Sequence, residues 1–320
     1  MNVEVTGQEV EGTKWDLIVI GLGTAGADAA VRAAQLGLKV LVIEKNRDRP
    51  GGTCVNVGCV PTKKLLYIAD HYYELGKYLS NEGLTADIKL DVRAMFRAKD
   101  QLISQIITWY MFKVFPSWDV KVLFGEARLA SPNSVKVDDS VIETRNILIA
   151  TGSRPKIPLI KGLEQGLKSG FVITSDDFFS LDSVPESILI VGGGAIGVEL
   201  GTLLYKLGSK VMIVEIMDRL LPTFTDPELG NYLANRIMRE MYGIDVRVST
   251  SVTEIDPGNK LVRLSNGEVV KVDKVLVAVG RIPNTEELTL RVLVLRLRMA
   301  QLWLMSTQGQ IYPTYTRQVT

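Results

Sequence analysis

One unit of strand, glycine turn, helix and strand occurs twice in this chain, and no other feature restricts its fold as strongly. In the first copy the apolar run Leu17-Ile18-Val19-Ile20 enters Gly21-Leu22-Gly23-Thr24-Ala25-Gly26. A small-residue helix with Ala27, Ala29, Ala30, Ala33 and Ala34 stops at Gly37, and Val40-Leu41-Val42-Ile43 ends in Glu44. In the second copy Ile188-Leu189-Ile190-Val191 enters Gly192-Gly193-Gly194-Ala195-Ile196-Gly197, a helix runs to Gly208, and Val211-Met212-Ile213-Val214 ends in Glu215. Each first glycine lies 23 residues before its acid, and each stop glycine lies 11 residues after the third glycine. The first glycine makes the turn, the second lets the backbone approach a pyrophosphate, and the third lets helix and strand pack closely. The helix N-terminus then faces the phosphates, and the acid accepts hydrogen bonds from a ribose. A single GxGxxG means little. Two copies with matching strands, stops and acids point to two dinucleotide sites.

Each unit also closes alike. Asn146-Ile147-Leu148-Ile149-Ala150-Thr151-Gly152-Ser153-Arg154-Pro155 parallels Lys274-Val275-Leu276-Val277-Ala278-Val279-Gly280-Arg281-Ile282-Pro283. Both read as buried β-branched strands ending in a glycine where a backbone can pass close to a ligand. The expected architecture is therefore α/β, with two Rossmann-like domains and a boundary among the prolines and glycines of residues 154–181.

Between the copies' landmarks lies Gly51-Gly52-Thr53-Cys54-Val55-Asn56-Val57-Gly58-Cys59-Val60-Pro61-Thr62-Lys63, which holds the chain's only two cysteines. Helix N-termini and neighbouring cations favour thiolates, and so redox reactivity over structural burial. A structural staple fits poorly in a long chain with no other cysteine, and a metal site would need more Cys or His ligands. The single histidine, His71, stands alone on an expected helix over residues 62–78 and reads as structural or surface. Two dinucleotide sites with a dithiol between them suggest serial electron transfer, in which the cofactors supply the hydride chemistry.

The remaining bulk properties exclude more than they assert. A length of 320 residues allows two or more cores, and a net charge of +1 gives no push toward nucleic acid or an anionic membrane. The N-terminus lacks a signal-peptide pattern and no apolar run is long enough to span a bilayer, so a cytoplasmic, soluble protein is expected.

Together these motifs resemble the flavin-dependent pyridine nucleotide-disulfide oxidoreductases (class I), and among them the dihydrolipoamide dehydrogenase type. The resemblance runs from about Lys14 to about Asn284 and is most specific in the GGTCxNxGCxPxK block, then in ATGSRP and GRxPN. It implies an FAD-binding domain over residues 1–155, an inserted NAD-binding domain over 156–284, and an aberrant or incomplete tail over 285–320. By resemblance, Gly21, Gly23, Gly26 and Glu44 hold FAD, Gly52, Thr53 and Lys63 lie against it, and Thr151 and Gly152 close over it. Ala127 falls where the family contacts the adenine half. Gly192, Gly194, Gly197, Glu215 and Gly280 would hold NAD. Cys54 matches the interchange thiol that attacks a disulfide substrate, and Cys59 the thiol nearest the flavin. Lys63 matches a lysine near the reactive flavin nitrogen, with Glu199 as the partner that a buried lysine needs. Glu215 favours NAD over NADP, because a carboxylate there accepts from ribose hydroxyls and repels a further phosphate. Neither Ile216 nor Met217 brings a cation, and Arg219 is the nearby candidate.

The resemblance stops after Asn284. Family members next return to the FAD domain and then add an interface domain, which makes the homodimer and supplies a histidine-glutamate base. Neither finds a counterpart here. Residues 288–320 contain no Asp or Glu, and Leu290 to Arg298 alternates arginine with aliphatics. The expectation is a shifted reading frame over about residues 287–305 followed by early termination. Exchange with a small-molecule or lipoyl-type dithiol is then expected to weaken for want of the base. A mercuric reductase shares the redox block but normally adds a C-terminal cysteine pair. The reading from outside the enzyme class is a non-catalytic nucleotide-binding remnant.

Overall fold

The computed structural model describes residues 3–78, 82–83, 87–223, 226–288, 297–298 and 301–302. The chain divides into two compact units. The first is built from the chain up to Asn56, Gln101–Arg154 and the chain from Ile282; the second from Val57–Asp100 and Pro155–Arg281. The fold is α/β, and the second unit is inserted in the first.

In the first unit, β1 (Glu4–Val5), β2 (Trp15–Ile20), β3 (Val40–Glu44) and β4 (Lys121–Phe124) join a meander of β5 (Ala127–Ser131), β6 (Ser134–Val137) and β7 (Ser140–Ile149). The sheet order is β1-β4-β3-β2-β7-β6-β5. The four central strands β4, β3, β2 and β7 are parallel, and β3 is buried at every residue. That is why they read as unbroken apolar runs, whereas β6 alternates buried and exposed positions. One face of the sheet packs on α2 (Thr24–Gln35) through Ala27, Ala30 and Ala33, after a short α1 (Gly7–Val10). Alanines let this helix sit close to the sheet. The other face packs Ile18, Ile20, Leu41 and Ile43 against Leu129 and Val135 of the meander.

Two helices follow β3: α3 (Gly52–Val57) and α4 (Cys59–Tyr73), the latter continuing into a wider π-helical turn, Glu74–Tyr78. The helix expected over residues 62–78 thus begins three residues early, with Gly58 preceding its first residue and Pro61 tolerated in the first turn. Next come α5 (Val92–Trp109), α6 (Phe115–Ser117) and, after β7, the short β8 (Ser153–Pro155).

The second unit adds α7 (Leu163–Ser169), β9 (Val172–Thr174), β10 (Ser187–Val191), α8 (Ala195–Lys206), β11 (Lys210–Val214), α9 (Pro227–Tyr232) and β12 (Asp245–Arg247). A meander of β13 (Val252–Asp256), β14 (Leu261–Leu264) and β15 (Val269–Lys271) precedes β16 (Lys274–Val277) and β17 (Arg281–Pro283). The parallel sheet has the order β12-β11-β10-β16-β9. Its helix side gathers Leu200, Leu203 and Leu204 of α8 with Leu65 and Ala69 of α4 and Met95 and Phe96 of α5. Lys206 ties α8 to α4, donating to Asp70 Oδ1 at 2.6 Å beside Tyr73 and Tyr242. The other side packs Leu189, Val191 and Val214 on Val262 and Leu264 of the meander. No helix among the described residues is long and apolar enough to cross a membrane. Most of the tail, and with it the frame-shift reading, lies outside the described residues; those at 297–298 and 301–302 pair as antiparallel β18 (Leu297–Arg298) and β19 (Gln301–Leu302).

Candidate functional site

The glycine turn of the first unit is built to one shape. Gly21 has φ +104°, and a Cβ there would stand 2.3 Å from the Ala150 carbonyl oxygen. A Cβ at Gly26 would stand 2.0 Å from the Gly21 carbonyl oxygen, so α2 reaches the strand only without one. Gly23 precedes the first residue of α2, and a Cβ there would meet Gly52 Cα at 3.7 Å. In the second unit Gly192 (φ +111°) meets the Ala278 carbonyl oxygen at 2.4 Å and Gly197 meets that of Gly192 at 2.0 Å. A Cβ at Gly194 would meet nothing within 4 Å. Adding one would therefore fill the open cradle against which a pyrophosphate packs.

The two acids do something the sequence did not disclose. Glu44 is buried, and its Oε2 accepts from Leu22 N at 2.7 Å while Oε1 accepts from Asn46 N at 2.8 Å. Glu215, also buried, repeats this with Gly193 N at 2.7 Å and Met217 N at 2.8 Å. Each carboxylate thus grips the middle of its glycine turn. An ionised carboxylate has about four lone-pair sites, so each acid keeps acceptor capacity for a ribose hydroxyl.

Gly152 (φ +67°) and Gly280 (φ +108°) have open space where a Cβ would be, so backbone conformation, not crowding, requires them. Thr151 and Gly152 are latched by a residue outside the predicted set. Asn284 donates its backbone N–H to the Gly152 carbonyl and its side-chain amide to the Thr151 carbonyl, both at 3.0 Å, and accepts from Thr151 Oγ1 at 2.5 Å. Arg154 adds a two-pronged bond to Glu286 at 2.7 and 3.1 Å, holding the Glu286 carboxyl below its usual range. Ala127 is buried in the apolar core beside the meander, leaving only its backbone for any ligand.

The redox block straddles the two units, whose boundary falls between Asn56 and Val57. On the first side, Gly51 and Gly52 both have positive φ, and a Cβ at Gly52 would come within 2.7 Å of Gly23 Cα. The glycine pair therefore lays the start of α3 directly on the nucleotide turn. Thr53 Oγ1 lies 3.5 Å from the Ser153 carbonyl, and Cys54 is half-buried. On the second side, Cys59 is exposed at the start of α4. Lys63, one turn on, forms an ion pair with Glu199 of α8. Its side chain is 61% exposed, which corrects the expectation of a buried lysine: on α4 the inward positions are Thr62, Leu65 and Ala69. Such a solvated pair is worth at most about 1 kcal/mol.

Two further residues have partners of their own. His71 is exposed, and its Nδ1 donates to the Tyr67 carbonyl at 2.8 Å. It lies twelve residues beyond Cys59 on the same helix, roughly 18 Å along the axis. Arg219 is occupied by Asp218 and by the Pro222 carbonyl, at 3.2 and 3.3 Å. Among the described residues no cluster of three or more His, Cys, Asp or Glu is placed to hold a metal.

A family profile described as pyridine nucleotide-disulphide oxidoreductase matches residues 15–299. The chain belongs to this family. Members of the pyridine nucleotide-disulphide oxidoreductases use FAD and NAD(H), and the two open glycine cradles with their acids fit two dinucleotides. Among similar proteins, the dihydrolipoyl dehydrogenase of Mycoplasma pneumoniae is 35% identical, over 85% of this chain and 59% of its own length. That of Acholeplasma laidlawii is 33% identical, over 86% of this chain and 81% of its own. The mercuric reductase of Lysinibacillus sphaericus is 33% identical, over 86% and 50%. Among solved structures, the HOCl-induced flavoprotein disulfide reductase of Escherichia coli superposes with a TM-score of 0.74 at 26% identity, covering 89% of this chain and 60% of that one. The chain thus spans 59% of the first of these relatives and about half of the mercuric reductase.

Proposed function

We propose that this chain is an FAD-dependent oxidoreductase of the dihydrolipoamide dehydrogenase type, moving electrons between NAD(H) and a small-molecule or lipoyl-type dithiol through Cys54 and Cys59. The observation that carries this reading is the contact of Gly52 on Gly23, which seats the cysteine-bearing helix on the first dinucleotide turn. The first unit takes FAD and the second NAD(H). The bound cofactors supply the hydride and two-electron chemistry. The chain's part is to orient them and to offer a dithiol that stores the electron pair, with Cys54 exchanging with substrate and Cys59 facing the flavin. Lys63 and Glu199 serve as the charged pair beside the flavin ring. Glu215, with Arg219 already engaged, favours NADH over NADPH. We further read the protein as cytoplasmic. Homodimerisation, the family's habit, is a separate question for gel filtration.

The deciding experiment records visible absorbance before and after anaerobic NADH. A flavin spectrum that bleaches and gains a long-wavelength band supports both cofactor sites and a reduced thiol at Cys59. A colourless protein sinks the proposal in favour of a non-catalytic nucleotide-binding remnant. NADH oxidation stimulated by Hg(II) but not by a lipoyl disulfide would shift it to the mercuric reductase type.

A further inference from the structure

The grip of Glu44 on the glycine turn is the first link of a longer chain of hydrogen bonds. Glu44 Oε1 accepts from Asn46 N at 2.8 Å, and Asn46 Oδ1 accepts from Arg49 N at 2.9 Å. From inside α3, Asn56 Nδ2 reaches back to the carbonyls of Arg49, Pro50 and Gly52 at 3.2, 3.1 and 3.0 Å. Three carbonyl oxygens can be met only by the donor end of the amide, so its orientation follows from its surroundings. The turn held in this way contains Gly51 and Gly52, both with positive φ, and a Cβ on Gly51 would press on Val55 at 3.0 Å. Cys54 lies between the last carbonyl gripped, Gly52, and the residue that grips it, Asn56. The second unit has the same acid, but among the described residues no such strap: Met217, bonded to Glu215, accepts at its carbonyl from Ser249 N at 2.7 Å.

We propose that Asn46 and Asn56 are positioning residues for Cys54, fastening its helix to the glycine turn of the first unit so that thiol and nucleotide turn hold one fixed relation. The chemical importance of that relation rests on the redox reading above. The strap itself is a property of the residues named. Asn56 carries all three carbonyl contacts and Asn46 only the approach to Arg49, so their losses should differ in size and share one mechanism.

The test uses the full chain with Cys59→Ser, leaving Cys54 as its one thiol, and follows alkylation by iodoacetamide at a pH where thiols are ionised. Asn56→Ser should accelerate alkylation about tenfold and Asn46→Ala about threefold, as for loss of hydrogen bonds of ordinary net strength. The double variant should react no faster than Asn56→Ser alone, because both act on one strap. Asn56→Asp fills the same volume but turns an acceptor toward three carbonyls, so it should match Asn56→Ser. Equal rates in all variants, strictly multiplicative effects in the double variant, or wild-type behaviour of Asn56→Asp would each overturn the proposal. If Asn56→Ser does not fold, the Asn46→Ala rate alone decides. Absence of the NADH-driven long-wavelength band in the unmodified chain would count against the redox reading and leave the alkylation result standing.

Discussion

The two units solve one problem with the same parts and finish it differently. In both, a parallel core of five strands lies between a helix layer and a three-stranded meander, and in both a buried glutamate grips the glycine turn. In the first unit the last strand of the meander, β7, runs without a break from antiparallel pairing with β6 into parallel pairing with β2. In the second the same path is cut between β15 and β16, where Asp273 accepts from the backbone and hydroxyl of Ser187 at 3.1 and 2.8 Å. The lesson is that the nucleotide turn is the invariant of this fold, while its surroundings are free to differ. Around the first turn that freedom accommodates a cysteine helix.

The sharpest way to separate the units is to break one turn at a time. Gly26→Ala and Gly197→Ala each drive a methyl group into a carbonyl oxygen, at a cost near 3 kcal/mol, the upper end for overpacking. Gly26→Ala should yield protein with flavin affinity lowered at least about a hundredfold. Gly197→Ala should keep its flavin but lose reduction by NADH. Titration of flavin and stopped-flow reduction would show this, and loss of both functions in both variants would erase the distinction.

A gentler cut tests whether the acids hold the turns. In Glu44→Gln and Glu215→Gln the amide group confronts one of two backbone N–H donors, leaving a buried donor unmet at about 1–3 kcal/mol. Flavin affinity should fall roughly tenfold to a hundredfold in the first, and KM for NADH should rise by a similar factor in the second. If Glu215→Gln left NADH binding unchanged, the grip would be dispensable.

The broken strand offers a smaller effect. Asp273→Ala removes hydrogen bonds to Ser187 and should cost the second unit about 1 kcal/mol, visible by calorimetry, with flavin retention untouched. The smallest is a pH effect in the second unit. Burial and a hydrogen bond with Tyr73 push the Tyr205 phenol up to about 12, against an ordinary value of 10.0. Burial is the largest influence on Lys206 and opposes its charge, yet the hydrogen bonds and charges of Asp70 and Tyr242 together outweigh it and raise the pKa as well. A group with a raised folded value adds stability that is complete below its unfolded pKa and vanishes as pH rises through the folded one. The Tyr205 contribution should therefore hold up to about pH 10 and disappear by about pH 12. Urea unfolding at stepped pH would detect it, and Tyr205→Phe should flatten that part of the profile.

Much of this was legible in the chain itself. The turns, their helices and both acids follow from glycine spacing, because close approach of backbone to backbone leaves glycine no substitute. The partners of the acids were not, since a glutamate at a strand end looks alike whether it awaits a ribose or holds an amide. The latch at Asn284 and the clamp at Asn56 escaped for a related reason: each joins residues that only folding brings together. Leu65, Ala69, Met95 and Phe96 are buried on α4 and α5, but nothing in their order along the chain says which core receives them. The solvated Lys63 was misjudged because its ion pair was anticipated and its exposure was not.

The latch at Asn284 bears on how such a chain assembles. Gly152 and Asn284 are bonded across 132 intervening steps of chain, a closure that an unfolded polymer reaches rarely and at an entropy that grows with the logarithm of its length. Within the second unit, however, Lys156 N already donates to the Gly280 carbonyl at 2.9 Å. Once that unit has folded, the distance left to close is a handful of residues at either end. A long-range contact thereby becomes a local one, so the first unit's latch is expected to close only after the insert has folded.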